Sequence, residues 1–373
     1  MKRQRGESVR AHMRRTGKDV RLNVPPALVL LLVAAAALAL LVLARPMGMM
    51  GGKSSEPGAR RGAMQASMVP VFATLRGAGA VAGLRPAGMP REMPREMPRE
   101  GEVLRWPVGQ TLTYLSVTRD GRLVLATDSP QNVVYALHGR TGKLLASFPV
   151  GQTPKGVKIS PDGSLALVAN EGSGSVSVID LEGWEVVAEV PVGEVPHNLV
   201  FSPDGALAYV TVQGADRVAV LDVGKREVVG RIPVGRGPHN LDIAPDGRTL
   251  FVANKDSDTL AVIDLESQSV VKTVPLSRGH HGVDVSPDGE RVYVSGIGAE
   301  IVTVVDASRY EVLGQVEVGP GPHGLRTGPD GRRLCVAVTG ADEIVVIDTQ
   351  TQEVVERTAV EGFPFWLAVP GNP

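Results

Sequence analysis

Four of the seven histidines in this chain of 373 residues are spaced 42 residues apart. Imidazoles that converge from equivalent positions can bind a metal ion or an anion. Alternatively, each ring hydrogen-bonds a backbone group of the next repeat. The spacing thus predicts a ligand-binding rim of histidines, with copper or zinc as the metal if one binds. The position reads, in chain order, Thr113, Lys155, His197, His239, His281, His323 and Phe365.

The residue after each of these positions is aromatic only in the first and last repeats, which would be neighbours in a closed ring. We therefore expect Tyr114, Phe365 and Trp366 to form an aromatic patch that faces the imidazoles across a channel mouth. A pocket with one polar and one aromatic wall suits a small ligand or a peptide. Alternatively, Tyr114 and Trp366 only pack the seam where the chain ends meet. The position reads Tyr114, Gly156, Asn198, Asn240, Gly282, Gly324 and Trp366.

Aspartate recurs at two further places in the repeat. Five aspartates end the third apolar run of their unit, where an Asx-type turn is the expected role rather than catalysis. Asp242 and Asp284 each follow a rim histidine by three residues, so they are predicted either to support the histidines or to lie as charges at the rim. No catalytic residue is assigned. The five turn aspartates are Asp180, Asp222, Asp264, Asp306 and Asp348, and His138 takes their place in the first unit.

A repeat of 42 residues, without insertion or deletion, positions all of these side chains. Each unit has four short runs rich in Val, Ile and Leu, which are typical of β-strands. A tripeptide turn joins the first two runs, and its glycine can take the left-handed conformation that closes a hairpin. Four antiparallel strands in about 42 residues make one blade of an all-β propeller. The turn aspartates of this tripeptide are Asp120, Asp162, Asp204, Asp246, Asp288 and Asp330.

The unit resembles the YVTN β-propeller repeat over roughly residues 102–373. The resemblance rests on Tyr209-Val210-Thr211, on residues 251–254 (FVAN) and on Tyr293-Val294-Ser295, with a matching Val-x-Val-Ile-Asp run at residues 176–180. It implies a propeller, commonly on extracytoplasmic or surface-layer proteins, and it does not imply one activity.

The number of blades depends on two pieces outside the six complete units. Residues 102–109 match the last strand of a blade, and residues 363–369 match the first. Together they predict a seventh blade closed by both ends of the chain, with its two middle strands missing unless residues 68–84 provide them. Six blades with two surplus strands is the alternative.

The N-terminal hundred residues differ from the repeats. Residues 1–26 carry eight Lys/Arg, and residues 27–44 are an uninterrupted apolar run, long enough at about 27 Å to cross a bilayer. The excess of positive charge before the run predicts a signal-anchor with a cytoplasmic N-terminus, and a cleaved signal peptide is the alternative. Residues 45–101, rich in Pro, Gly and Met, are predicted to be a flexible stalk, although residues 68–75 could form a strand.

Composition excludes several classes of site. The single cysteine, Cys335, rules out an intramolecular disulfide or a multi-cysteine metal centre. Residues 101–373 hold 22 Lys/Arg against 34 Asp/Glu, and so acidic a body argues against nucleic acid as a partner.

The unbroken period predicts short loops and a smooth disc, which favours a binding or scaffold module over an enzyme. The predicted partner is a protein or a cell-surface polymer outside the cytoplasm. The alternative is a propeller enzyme, a lactonase-like hydrolase or a histidine–metal oxidoreductase, that uses the channel rim.

Overall fold

Each 42-residue unit folds into a sheet of four antiparallel strands. The structure, a computed structural model, describes residues 70–85 and 102–372. The predicted basic tail (1–26) and transmembrane segment (27–44) lie outside the described residues. Across the two ranges that the structure does describe, no helix is both long and apolar enough to span a bilayer.

Twenty-eight strands and two short 3₁₀ turns make up the described regular structure. The first fourteen strands are β1 (Val71–Leu75), β2 (Ala80–Leu84), β3 (Val103–Pro107), β4 (Leu112–Val117), β5 (Leu123–Asp128), β6 (Val133–His138), β7 (Leu144–Pro149), β8 (Pro154–Ile159), β9 (Leu165–Asn170), β10 (Ser175–Asp180), β11 (Glu185–Pro191), β12 (Pro196–Phe201), β13 (Leu207–Val212) and β14 (Arg217–Asp222). The others are β15 (Glu227–Pro233), β16 (Pro238–Ile243), β17 (Thr249–Asn254), β18 (Thr259–Asp264), β19 (Ser269–Pro275), β20 (His280–Val285), β21 (Arg291–Gly296), β22 (Ile301–Asp306), β23 (Val312–Glu317), β24 (Pro322–Thr327), β25 (Arg333–Val338), β26 (Glu343–Asp348), β27 (Glu353–Ala359) and β28 (Pro364–Ala368). The 3₁₀ turns are Gln213–Ala215 and Thr339–Ala341.

Seven blades close into a ring, which confirms the prediction. Blades 1 to 6 take four consecutive strands each, from β4–β7 to β24–β27. The innermost strands of neighbouring blades contact each other in sequence, and β28 of blade 7 contacts β4 of blade 1. Because the ring is closed, every blade has a neighbouring blade on both of its faces.

Blade 7 is assembled from both ends of the propeller, in the order β28-β1-β2-β3. Residues 363–369 and 102–109 therefore share one blade, as predicted. Its middle strands come from residues 71–84, the possibility left open by the sequence. This corrects the predicted domain boundaries, because the propeller begins at Val71 and includes part of the predicted stalk (45–101). The predicted boundary is wrong because every residue of β1 and β2 is buried, so both strands belong to the folded propeller.

The hydrophobic core lies between neighbouring blades rather than within one sheet. One cluster joins Val176 and Val178 of blade 2 to Leu199 and Val210 of blade 3. The second strand of each complete blade is buried on both faces after its first residue, whereas the outermost strand buries one side chain fully or none. A buried Val or Leu contributes about 1.5–3 kcal/mol, so the interfaces between blades hold the ring together.

The hairpin between the first two strands has the predicted turn chemistry. Gly163 and Gly205 have φ of 80° and 73°, the left-handed conformation that favours glycine. The preceding Asp162 accepts a hydrogen bond from the Ser164 backbone N–H at 3.1 Å. These turns fix where each innermost strand ends and so set the depth of its side chains in the channel.

Candidate functional site: the two ends of the channel

A break in strand register shapes the channel mouth. In each of the six complete blades, the pairing between the first and second strands shifts at the two candidate positions, for example between Pro196 and Leu199 and between Pro238 and Leu241. Neighbours in a regular strand point to opposite faces, and a bulge re-aims side chains. Both members of each pair can therefore contribute to the same mouth.

The four predicted histidines do converge there. Ring centroids are 3.9 Å apart for His197 and His239, 4.5 Å for His239 and His281, and 5.4 Å for His281 and His323. His239 and His323, two blades apart, are separated by only 6.4 Å. The imidazoles thus fill the mouth of the channel instead of lying in separate blade interfaces.

Hydrogen bonds engage most of the ring nitrogens. His197 donates from Nδ1 to the Glu171 carboxylate at 3.1 Å and accepts at Nε2 from the Tyr114 hydroxyl at 2.8 Å. His239 accepts at Nδ1 from the Asn240 amide at 2.8 Å. His281 donates from Nδ1 to the Gly279 carbonyl at 2.9 Å. The accepting nitrogens of His197 and His239 require both of these rings to be neutral.

The fourth ring is different, since Nδ1 of His323 is buried and has no hydrogen-bond partner among the described residues. Burial lowers the pKa of all four histidines, and burial together with the neighbouring imidazoles holds the pKa of His239 and His323 well below the ordinary value. The arc is therefore uncharged at neutral pH and offers an anion little attraction. No group of three or more His, Cys, Asp or Glu in residues 70–85 and 102–372 is arranged to hold a metal ion.

The aromatic patch joins the histidines in one closed layer. Phe365 lies 3.7 Å from His323 and 5.9 Å from Tyr114, and Tyr114 lies 4.6 Å from Trp366, all between ring centroids. Trp366 also lies 6.4 Å from His323, the proximity that a socket requires. However, its ring is only 3% exposed, so it forms no accessible wall. Ligand binding at this rim stays a prediction.

Two residues that sequence reasoning missed complete the mouth. Glu171 receives the His197 hydrogen bond and lies 4.0 Å from Lys155. Burial alone would raise the pKa of Glu171, but His197 and Lys155 hold it below its usual value. Arg76, on the turn between β1 and β2, lies 5.0 Å from the centre of the Phe365 ring. Nothing in the repeat marks Glu171, because its position reads Ser129, Glu171, Gln213, Lys255, Ile297 and Thr339.

A second ring of side chains lies three residues further along the innermost strands, and it is charged. The Arg326 guanidinium bridges Asp284 at 2.7 Å and Asp242 at 3.1 Å, and all three side chains are buried. The prediction that the two aspartates support the histidines or lie at the rim is thus wrong. Three residues of strand carry them about 10 Å away from the mouth. The ring reads Ser116, Lys158, Val200, Asp242, Asp284, Arg326 and Ala368.

These aspartates also link the blades. Asp242 accepts the Val285 backbone N–H at 2.9 Å, and Asp284 accepts the Thr327 N–H at 2.7 Å. In the same way Ser116 accepts the Ile159 N–H at 3.2 Å. Burial raises the pKa of Asp284, which the nearby Arg326 charge opposes. The side chains of this ring satisfy backbone donors at the inner edge of the next blade.

The five aspartates that end the third strand of a blade have the structural role that the sequence indicates. Asp180 accepts the Glu182 N–H at 2.9 Å, and Asp306 accepts the Ser308 N–H at 2.8 Å. Equivalent bonds form at Asp222, Asp264 and Asp348. The prediction of Asx-type turns is therefore confirmed.

Fold and comparisons together define the class of protein, a seven-bladed β-propeller whose last blade is closed by both ends of the domain. The chain belongs to the YNCE-like beta-propeller family, whose model matches residues 114–246 and 202–333. A search of curated proteins gives no match.

Two solved structures resemble the chain in fold. One is Kuenenia stuttgartiensis hydrazine synthase, with a TM-score of 0.64, 22% identity and coverage of 70% of this chain and 90% of that one. The other is a functionally unknown protein from Desulfotomaculum acetoxidans DSM 771, with a TM-score of 0.67, 16% identity and coverage of 81% and 98%. At these identities the likeness shows the fold alone.

Proposed function

We propose that this protein is a membrane-tethered, extracytoplasmic propeller that binds a protein or cell-surface polymer on the circumference of its disc. The tether is supported by the eight basic residues of 1–26 followed by the apolar run 27–44. The stalk before the propeller would hold the disc away from the bilayer. Most side chains at the two ends of the channel are buried, whereas the outer strands present an accessible surface that repeats from blade to blade.

The main support for this proposal is a row of exposed aliphatic side chains on the outermost strands, which we call the aliphatic belt. Five blades expose an aliphatic side chain at the same register position, with exposed fractions between 43% and 53%. Single exposed apolar residues are ordinary, but repetition in register offers a partner several equivalent contacts. The aliphatic belt consists of Leu145, Val229, Val271, Leu313 and Val355.

The belt also lies on the strand with a free edge, because the outermost strand of each sheet pairs on one side only. Such an edge can accept an extended segment of a partner, with backbone hydrogen bonds giving affinity and side chains giving specificity. Glu227 and Arg231 flank Val229, and Glu353 and Arg357 flank Val355, on the same outward face. These charges oppose indiscriminate pairing between copies.

Photo-crosslinking in intact cells tests the docking surface. A photoreactive amino acid at Val271 or Val229 should give discrete crosslinked species. If the partner contacts both positions, Val271→Glu should abolish the species that forms with the photoreactive amino acid at Val229. The matched control is the same amino acid at Glu290, an exposed residue of a Pro-Asp-Gly hairpin. Equal crosslinking at Glu290 would contradict docking on the belt.

Fractionation tests the tether separately. The full chain should stay with membranes after high salt or carbonate, and the propeller should be digested by protease added outside the cytoplasmic membrane. Recovery of a soluble form that begins at Arg45 would instead show a cleaved signal peptide. Because crosslinking reports on the surface of the disc and fractionation reports on its attachment, failure of one test does not decide the other.

A further inference from the structure

A cavity of about 350 Å³ opens where the innermost strands end, away from the histidine mouth. Its walls are mainly apolar, with Val200 and Phe201 beside the prolines of the hairpin turns. Three charged residues also line it, Lys158, Asp242 and Arg119. An apolar pocket with a few convergent polar groups is the usual form of a small-molecule site.

Lys158 is the unusual member of this cavity. The residue is only 5% exposed, yet among residues 70–85 and 102–372 no hydrogen bond or ion pair engages its amine. The nearby carboxylates of Asp242 and Asp284 are both held by Arg326 instead. The amine therefore opens onto the cavity, and a largely buried amine without a protein partner lowers the stability of the fold.

The surroundings favour the uncharged amine. Burial and the positive charge of Arg326 lower the pKa of Lys158 to about 7, while Asp242 and Asp284 partly oppose this shift. Arg119 is the other cation that faces the cavity. A desolvated lysine beside a second cation is a nucleophile near neutral pH, whereas an exposed lysine is protonated.

We propose that Lys158 forms a reversible imine with a small carbonyl compound that enters this cavity. The Nζ lone pair attacks the carbonyl carbon, and the carbonyl π electrons move to oxygen. Two protons from nitrogen then reach that oxygen, water leaves, and a carbon–nitrogen double bond remains. The condensation involves no net oxidation or reduction. Asp242 lies in the same wall and can relay a proton, and Arg119 at the mouth favours a carbonyl compound that carries a carboxylate.

Reductive trapping on the full chain tests the proposal. Pyruvate is the probe, cyanoborohydride reduces any imine to a stable amine, and peptide mapping locates the adduct. At neutral pH we expect Lys158 to be labelled at least about tenfold faster than exposed lysines, because its uncharged fraction is far larger. Lys143 and Lys225 are the exposed references.

Two variants keep the result interpretable. Lys158→Arg cannot form an imine and should lose the selective adduct, whereas Lys155→Arg, on the same strand at the other mouth, should retain it. Val200→Phe fills the cavity and should slow the labelling of Lys158, with circular dichroism confirming that each variant is folded. Labelling of Lys158 no faster than Lys143, or unchanged labelling in Val200→Phe, would overturn the proposal. This outcome is independent of docking on the aliphatic belt.

Discussion

The two ends of the channel are built from the same innermost strands, three residues apart, yet they differ in charge. At the histidine mouth, neutral rings contact one another and Trp366 is buried behind them. At the other end, Arg326 and two aspartates form a buried ionic cluster beside Lys158 and an open cavity. Burial is similar in the two layers, so the difference lies in which polar groups have partners.

This contrast separates structural from chemical roles. Repetition drew attention to the histidines, but three of the four have hydrogen bonds that a packed layer needs. The charged ring repeats a residue type only at Asp242 and Asp284, and it contains the amine of Lys158, which has no hydrogen-bond or ion-pair partner among the described residues. Groups that lower the stability of the fold and make no contact that supports it are the better candidates for function.

The largest expected effect comes from removing the cation that holds the charged ring together. Arg326→Met should lower the free energy of unfolding by about 3–5 kcal/mol, because it leaves two buried carboxylates without a partner. Urea denaturation at neutral pH measures this loss.

Arg357→Met is the matched control for this change. Arg357 is exposed, and its bond to Glu343 at 3.1 Å joins partly exposed side chains, so about 0–1 kcal/mol is expected. A loss from Arg326→Met no larger than that of the control would mean that the charged ring is hydrated, and the contrast between the two ends would fail.

The second effect has the opposite sign. Lys158→Met should stabilise the protein at pH 7 by about 2–4 kcal/mol, because the buried amine of the native protein must release its proton on folding. The folded pKa of Lys158 is lowered to about 7, so the native protein loses stability as pH falls through the ordinary lysine range toward 7.

The advantage of Lys158→Met should therefore shrink between pH 7 and pH 10, as measured by thermal or urea unfolding. Lys155→Met is the control, since Lys155 lies near Glu171 and its loss should bring no gain. If Lys158→Met is destabilising at pH 7, the amine has a partner in solution. The claim that Lys158 is the unpartnered group of the charged ring would then be wrong.

The sequence was sufficient for the fold because the blade is a local pattern repeated in register. Turn glycines, strand length and the two terminal fragments each indicated where a strand must lie, and closure by β28 and β3 followed. The boundary at Val71 was harder, because residues 71–84 are short and separated from residue 102 by a Pro-rich segment. Only pairing with β28 identifies them as a blade.

The sites were predictable only where residue type repeats. The spacing of the four histidines predicted their position. Glu171 and Arg76 reach the mouth from strand ends where the residue type differs from blade to blade. Lys158, Asp242, Asp284 and Arg326 also share one position of the repeat. Their mixed charges concealed this, and balanced opposite charges at one inward position are the signal that would have revealed the ring.

The third effect concerns the pH dependence of the histidine mouth. Its histidines have lowered pKa values in the folded state, so the unfolded chain binds more protons and stability falls as pH drops below about 6.5. His323→Phe removes one such group and places there the residue type that occupies the same position as Phe365.

Relative to the native protein, this variant should gain about 1–2 kcal/mol between pH 8 and pH 5. Comparing the change across pH, rather than stability at one pH, cancels the packing difference between His and Phe. A parallel pH profile in urea unfolding would show that His323 is already protonated or exposed, and that the mouth is not a neutral layer.

The smallest expected effect is the response of the mouth to metal. Purified full chain incubated with copper or zinc and then desalted should retain less than one equivalent, because His197 uses both ring nitrogens and His239 accepts a hydrogen bond at Nδ1. A bound metal would have to break these bonds and leave the buried Tyr114 hydroxyl without its His197 partner, a cost of about 1–3 kcal/mol for such a group. Inductively coupled plasma analysis measures the metal, with His239→Ala as the control. Stoichiometric copper or zinc that is lost in His239→Ala would reverse the contrast, making the histidine mouth a metal site and favouring the propeller-enzyme alternative over the binding disc.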